Sequence, residues 1–553
     1  MRRHLSLVAA VTAVSAGFGL LAFYQAADGQ EGTPRPGGQA TVRVPMRDGT
    51  LLATDVYLPA GEGPWPTIVI RTPYGRKGIP GALGAGAGFA VVVQDFRGRF
   101  DSGGECLVFY DDGWGEHQDG YDCIEWTSRQ PWCNGKIGTW GGSALSITQY
   151  CTAPTQPPGL AAQHITVGTP SVYHHAAYAG GVFRQSVVCD WLQQNHFPAA
   201  VLEAMTGHPA FDDWWRAFCL GPDEYAKVNV PACHIGGWYD IFSQGTIDGF
   251  VGYQTLGGEG ARGRQKLVMG PWTHGVGAST RIGELEFPAH SKQLPPHTDL
   301  VRWFNAWLKG EDDGVADAPA VTYYVMGDVD DPDAPGNEWR TADAWPVPSA
   351  PTSYYLHDQG LLSVAEPTEA QPLTYAYDPG NPVPTVGGNN LTIPAGPYDQ
   401  RPVESRPDVL VFSSEPLEEP IEITGRVRAE LFAATSAPDT DFTAKLCDVY
   451  PDGRSMLLLD GAVRGRWRNG GLEPEPMEPG RVYPLQIDLW STSIIINRGH
   501  RIRLDISSSN SPRFEVNPNT GGPLAPGEPG QVAQNTIYLD RQHPSRVILP
   551  VVK

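Results

Sequence analysis

A chain of 553 residues, 41% hydrophobic and 18% charged, has room for roughly three or four domains and is too apolar to be a disordered protein. Its 61 acidic and 40 basic residues leave a formal charge of −21, a surface that repels nucleic acid and anionic membranes and argues against either as a partner. With 65 Gly and 51 Pro the composition suits many turns and short strands rather than a helical bundle.

The chain opens with Arg2 and Arg3, an uncharged apolar run over residues 5–23, and then Gln25-Ala-Ala27 before Asp28. A basic start, an apolar stretch and small residues read as a secretory signal over residues 1–27, so the protein is expected to be exported, periplasmic or extracellular. The run is also close to the length of a spanning helix, and a retained N-terminal membrane anchor is the alternative. Residues 28–38 are polar and suit a flexible leader. Ordered structure is expected from Ala40, where Arg47-Asp-Gly49 joins two extended runs into a hairpin. Residues 67–70 and 89–93 are continuously apolar, as strands covered on both faces must be. A helix is expected over 120–129, a strand over 136–140, a helix over 144–151, and short strands over 231–235 and 266–269. Strands alternating with helices imply a parallel sheet with helices on its faces. Residues 170–228 break this pattern with short aromatic-rich helical pieces, which predicts a helical cap inserted between sheet segments 40–169 and 229–345. After a helix near 300–308, residues 346–553 become many short alternating runs divided by Gly, Pro, Asn and Asp, the pattern of an all-β sandwich.

The eight cysteines are too sparse for a disulfide scaffold. Export would permit bridges among Cys106, Cys123, Cys133 and Cys151, with no pairing assigned, while Cys233 and Cys447 sit in strand-like runs that favour buried free thiols. No Cys/His spacing suggests zinc, and the adjacent His174 and His175 point apart in regular structure; no metal is expected.

The chemistry concentrates in Gly138-Thr-Trp-Gly-Gly-Ser143, where a strand runs into a Gly-flanked Ser and directly into a helix. Small neighbours let such a Ser occupy a strained turn with its hydroxyl exposed, and the N–H of Ala144 at the helix start can face a developing oxyanion. The usual Gly-x-Ser-x-Gly is incomplete because Leu145 fills the last place; a helix-capping Ser is the alternative reading. A serine nucleophile needs a base, and the base an orienting acid. Asp240 follows the run 231–235 and His274 follows 266–269, both at strand C-terminal ends and in the order Ser, Asp, His of an α/β-hydrolase.

Three runs carry a family resemblance: Pro131-Trp-Cys-Asn-Gly-Lys-Ile-Gly-Thr-Trp-Gly-Gly-Ser143, Gly236-Gly-Trp-Tyr-Asp240 and Gly270-Pro-Trp-Thr-His274. With Arg71-Thr-Pro-Tyr74, Asp95-Phe-Arg-Gly-Arg99 and Arg406-Pro-Asp-Val-Leu-Val-Phe412, the chain resembles the cocaine-esterase-like hydrolases. These are grouped with X-Pro dipeptidyl-peptidases, acylases of β-lactam antibiotics and α-amino-acid ester hydrolases. The resemblance implies an α/β-hydrolase domain, a small helical cap and a C-terminal jelly-roll, with Ser143, Asp240 and His274 as the triad. It also implies that the Tyr74 hydroxyl shares the oxyanion hole with the Ala144 N–H. Relatives often carry an aromatic after the nucleophile and a Gly two places on, where this chain has Ala144 and Ser146. Asp240 is followed by Ile241-Phe-Ser243 and lacks the acidic pair that holds a substrate amine in the amino-acid ester hydrolases. Asp190, Glu203, Asp212 and Asp213 of the cap could replace it, or could be solvated helix faces. Trp191, Trp215 and Trp238 are candidates to line an apolar substrate pocket.

These readings converge on a serine hydrolase that cleaves a small ester, amide or peptide substrate through an acyl-serine intermediate without a cofactor. X-Pro dipeptidyl-peptidase activity is the alternative within the class. A non-catalytic surface protein binding through its β-sandwich is the alternative outside it.

Overall fold

The computed structural model describes residues 30–311, 313–522 and 530–553. The expected signal or anchor at residues 1–27 lies outside these.

The hydrolase core is an eleven-stranded mixed sheet. The hairpin β1 (Gln39–Pro45) and β2 (Leu51–Tyr57) is antiparallel and joins the sheet through β4. The central strands β3 (Trp65–Thr72), β4 (Ala90–Asp95), β5 (Cys133–Gly142), β6 (Leu160–Thr166), β7 (Ala232–Gly237), β8 (Lys266–Gly270) and β9 (Val321–Val325) run parallel. An antiparallel edge strand, β10 (Glu338–Ala342), closes one side, and the two-residue strand Gln30–Glu31 extends the other. In space the longer strands stand in the order 1-2-4-3-5-6-7-8-9-10. Every residue of β4, β7, β8 and β9 is buried, which is why these segments are apolar without alternation.

The helix after β5, α1 (Ala144–Thr152), is buried along its whole length. It lies between the sheet and the segment 170–228, whose short turns and helices include Trp191–Gln194, Ala199–Gly207, Asp213–Arg216 and Pro222–Lys227. The stretch expected as a helix near Tyr173 is a single π-helical turn, Tyr173–Ala177, followed by a two-strand hairpin. The Gly180–Gly181 bend of that hairpin is forced by packing: a Cβ at Gly180 would stand 2.1 Å from the Ala462 carbonyl oxygen.

The C-terminal half forms two antiparallel sheets, of seven and four strands. Its longest strands, Ile421–Thr435 and Tyr483–Ile496, pair over most of their length. Strand Tyr483–Ile496 alternates buried and exposed in its first half and is buried throughout its second. The second half packs against the hydrolase sheet, where one continuous apolar core joins Leu267, Met269 and Tyr323 to Val427, Leu485 and Ile494. Main-chain hydrogen bonds cross the same boundary between Met326 and both Ser493 and Ile495.

All eight cysteines are free thiols, so the open question of a bridge among Cys106, Cys123, Cys133 and Cys151 resolves to none; all but Cys189 are buried.

Candidate active site

Ser143 stands between β5 and α1 with φ 60° and ψ −124°, a strained conformation rare for a residue with a side chain. The chain around it shows why it holds. The Ser143 N–H donates to the Thr166 carbonyl at 3.0 Å, and the Ser143 carbonyl accepts from the N–H groups of Ser146 and Ile147 at 2.9 and 3.1 Å. Gly141 must be glycine, since a Cβ there would meet the Leu145 Cβ at 2.3 Å. Leu145, which spoils the five-residue motif, is thus packed directly over Gly141. Ser146 is fully buried, and its hydroxyl lies 2.6 Å from the Gly141 carbonyl oxygen and 2.8 Å from that of Thr166. It also accepts from the Thr166 N–H at 3.0 Å, so it stitches β5 to β6 beneath the elbow.

Asp240 follows β7 and is fully buried. One carboxylate oxygen lies 2.5 Å from Nδ1 of His274, and the other accepts from the Phe242 N–H at 3.0 Å. Nδ1 bonded to a carboxylate is the protonated nitrogen of a neutral imidazole, which leaves Nε2 as the acceptor. The Phe242 ring stands edge-on to the His274 ring at 5.9 Å and lines the same cleft as Ser143.

Tyr74 lies on the loop after β3, and its phenolic oxygen accepts from the indole N–H of Trp191 at 3.0 Å. Burial pushes the phenol above its ordinary pKa, with Trp191 and the nearby Ser143 hydroxyl working against it, so Tyr74 is a neutral donor. Arg99 braces the surroundings: its guanidinium donates to the carbonyls of Asn195 and His196 in the cap at 2.6 and 2.8 Å, and to that of Pro73 at 3.3 Å. Ala144, with an N–H in the unpartnered first turn of α1, also faces the cleft.

The cleft holds about 470 Å³ of atom-free space, part of it open to solvent. Apart from Ser143 its wall is apolar: Phe109, Ile147, Val172, Val187, Val188 and Trp191 are joined by Met205, Ile241, Phe242 and Leu391. Of the three tryptophans expected there, Trp191 lines it. Trp215 and Trp238 do not; both are fully buried in cores, where their N–H groups donate to the carbonyls of His208 and Tyr324 at 2.7 Å. The cap carboxylates stand away from the wall. Asp190 accepts from the Thr392 hydroxyl at 2.6 Å, Asp212 caps its helix and faces His208, and Glu203 and Asp213 are exposed. Sequence reasoning missed Leu391 because the wall it joins is built from segments far apart in the chain.

His174 and His175 do not share a site: one meets Ser171, the other Thr169 and Asp248. Among the described residues, Glu404, Cys447 and Asp505 bring metal-ligand atoms within 4.8 Å of one another. They fit a cation poorly. Arg503 pairs with Glu404 at 2.5 Å, burial and Glu404 push Asp505 up to about 8, and burial raises the Cys447 thiol well above its usual range.

Comparison with known proteins agrees with this architecture. The model of the X-Pro dipeptidyl-peptidase (S15 family) matches residues 48–201 and 193–276, and that of the X-Pro dipeptidyl-peptidase C-terminal non-catalytic domain matches 313–548. The chain is 34% identical to a cocaine esterase of Rhodococcus sp. (strain MB1 Bresler), over 93% of this chain and 98% of that protein. An α-amino acid ester hydrolase structure superposes with a TM-score of 0.76 at 26% identity, covering 93% of this chain and 96% of the other. An aminopeptidase from a marine sediment archaeon, Thaumarchaeota archaeon, superposes at 0.77 with 24% identity, covering 96% and 99%, and shows the same fold. With an elbow serine, a buried Asp–His pair and a β-sandwich on the hydrolase sheet, the chain belongs to the cocaine-esterase family of serine hydrolases.

Proposed function

We propose that the protein hydrolyses carboxylic esters with a compact apolar acyl group, through an acyl intermediate on Ser143. The observation that carries this reading is the strained Ser143 opening into an apolar cleft whose wall includes Phe242, the residue that bonds Asp240 and packs against His274. His274 Nε2 takes the Ser143 proton as the hydroxyl attacks the carbonyl, and Asp240 stabilises the imidazolium that forms. The Tyr74 hydroxyl and the Ala144 N–H meet the oxyanion, each worth about 3 kcal/mol. Collapse expels the alcohol, protonated by His274, and water activated by the same imidazole releases the acid. The cocaine-esterase relative supports an ester substrate. Among the described residues no carboxylate lines the cleft to bind a substrate α-amine, which weighs against dipeptidyl-peptidase activity. The basic and apolar N-terminus supports export.

The test is hydrolysis of a short-chain chromogenic ester by protein lacking residues 1–27, beside its Ser143→Ala variant. A fall in kcat of roughly 10⁴-fold or more is expected. Equal turnover in the two proteins would refute the mechanism, and faster cleavage of an X-Pro amide than of any ester would move the assignment to a peptidase.

A further inference from the structure

The turn that carries Asp240 is held from outside the hydrolase core. The Asn389 side-chain nitrogen donates to the Asp240 carbonyl at 2.7 Å and to the Trp238 carbonyl at 3.0 Å. It also lies 3.2 Å from the hydroxyl of Ser243, the first residue of α2 (Ser243–Thr255). Asn389 belongs to the segment 387–396 of the C-terminal half and is buried, so no solvent could replace its amide if it were removed.

The segment is itself rigidly placed. Gly388 and Gly396 exchange a pair of backbone hydrogen bonds at 2.9 Å. The Asn390 amide donates to the carbonyls of Gly387 and Pro394 at 2.7 and 2.9 Å. Gly388 has φ 97°, and a Cβ there would crowd the Asp460 carboxylate at 3.2 Å. The Asn389 carbonyl accepts from Arg513 of the sandwich at 2.5 Å and from Arg184 of the cap at 3.3 Å. Arg184 also donates to the carbonyl of Ile241, next to the acid, at 3.1 Å. Three parts of the molecule therefore meet at one peptide, directly behind Asp240.

The Asp240 carboxylate is aimed by its own backbone, because one oxygen is held by the Phe242 N–H while the other holds His274. A rotation of the peptides at 238–240 would swing both. We propose that Asn389 is a positioning residue for the acid, so that the C-terminal half sets the orientation of the Asp240–His274 pair. The inference rests on the acyl-serine reading above.

The test uses the chain without residues 1–27, with kcat per folded molecule, the folded fraction being read from circular dichroism. Asn389→Leu keeps the branching and the number of side-chain heavy atoms and removes the N–H donors; kcat is expected to fall roughly 10- to 100-fold with KM within about threefold. Asn389→Ser, a smaller donor, should fall between Leu and wild type, and carries the test if the Leu variant does not fold. In an Asp240→Asn background the imidazole has already lost its acid, so the Asn389 substitution should cost less than about threefold. Unchanged kcat in the single variants, or equal losses in both backgrounds, would overturn the proposal and leave Asn389 a merely structural group. Turnover by Ser143→Ala in the same assay is a separate outcome, which sinks the mechanism rather than the role of Asn389.

Discussion

A phenol has one proton and two lone pairs. At Tyr74 the Trp191 indole N–H occupies the oxygen, and the phenolic proton is left for Ser143 or for the oxyanion that forms there. Tyr74→Phe is therefore expected to lower kcat roughly 100-fold, about 3 kcal/mol, with little change in KM, since the bond strengthens as charge develops. Trp191→Phe keeps an aromatic wall and frees the tyrosine; its own kcat loss should vanish in the Tyr74→Phe background, as steady-state kinetics of the four proteins will show. The candidate triad positions could be singled out in the sequence because each follows a strand through a short glycine-containing run. Tyr74 was legible only through resemblance, because nothing local separates it from an ordinary loop aromatic. Trp215 and Trp238 show the converse. Both lie near the active serine hydrolase motifs in sequence or space, yet a tryptophan with its N–H on a buried carbonyl is core packing, and that partner is set by tertiary structure.

At the scale of elements, the elbow depends on a small set of close packings between β5, β6 and α1. The Ser146 hydroxyl lies within hydrogen-bond distance of two carbonyl oxygens there. Ser146→Ala should destabilise the protein by about 1–3 kcal/mol, because the hydroxyl's one proton is lost to the buried carbonyls around it and the Thr166 N–H loses its acceptor; the midpoint of urea unfolding measures this. Strands were readable from continuous apolarity, as in Ala90–Asp95, and their observed bounds lie close to those expected. The cap was harder. Its pieces are a turn or two long, so helical periodicity cannot develop, and the Tyr173–Ala177 turn gives way to a hairpin whose reason is the sandwich surface beneath Gly180.

For the whole molecule, the sandwich is joined to the hydrolase by one core and by a buried charge cluster. His500 of the sandwich meets Asp448 at 2.8 Å and Asp328, beyond β9, at 3.3 Å. Burial opposes its imidazolium, but the hydrogen bond and charge of Asp448 and the charge of Asp328 outweigh that, and its pKa is held above the ordinary value. Burial likewise raises Asp448. A histidine whose folded pKa is raised contributes stability that is complete below its unfolded pKa, about 6.5, and is lost as pH rises through the folded value. Thermal stability should therefore decline from about pH 6 towards alkaline pH, and His500→Gln should flatten that decline; a decline of equal slope in the variant would rule the cluster out as its cause. None of this was legible beforehand. Alternation marks a strand's two faces, but the fully buried second half of Tyr483–Ile496 reflects a partner surface more than a hundred residues away.

The central claim is that an acyl group passes through Ser143. The most direct measurement is mass spectrometry of the digested protein, quenched in acid during turnover of a slowly deacylating ester. An adduct of the acyl mass on the peptide containing Ser143, missing from Ser143→Ala, is the predicted result. Turnover that continues with no adduct at Ser143, or with an adduct on another side chain, would contradict it.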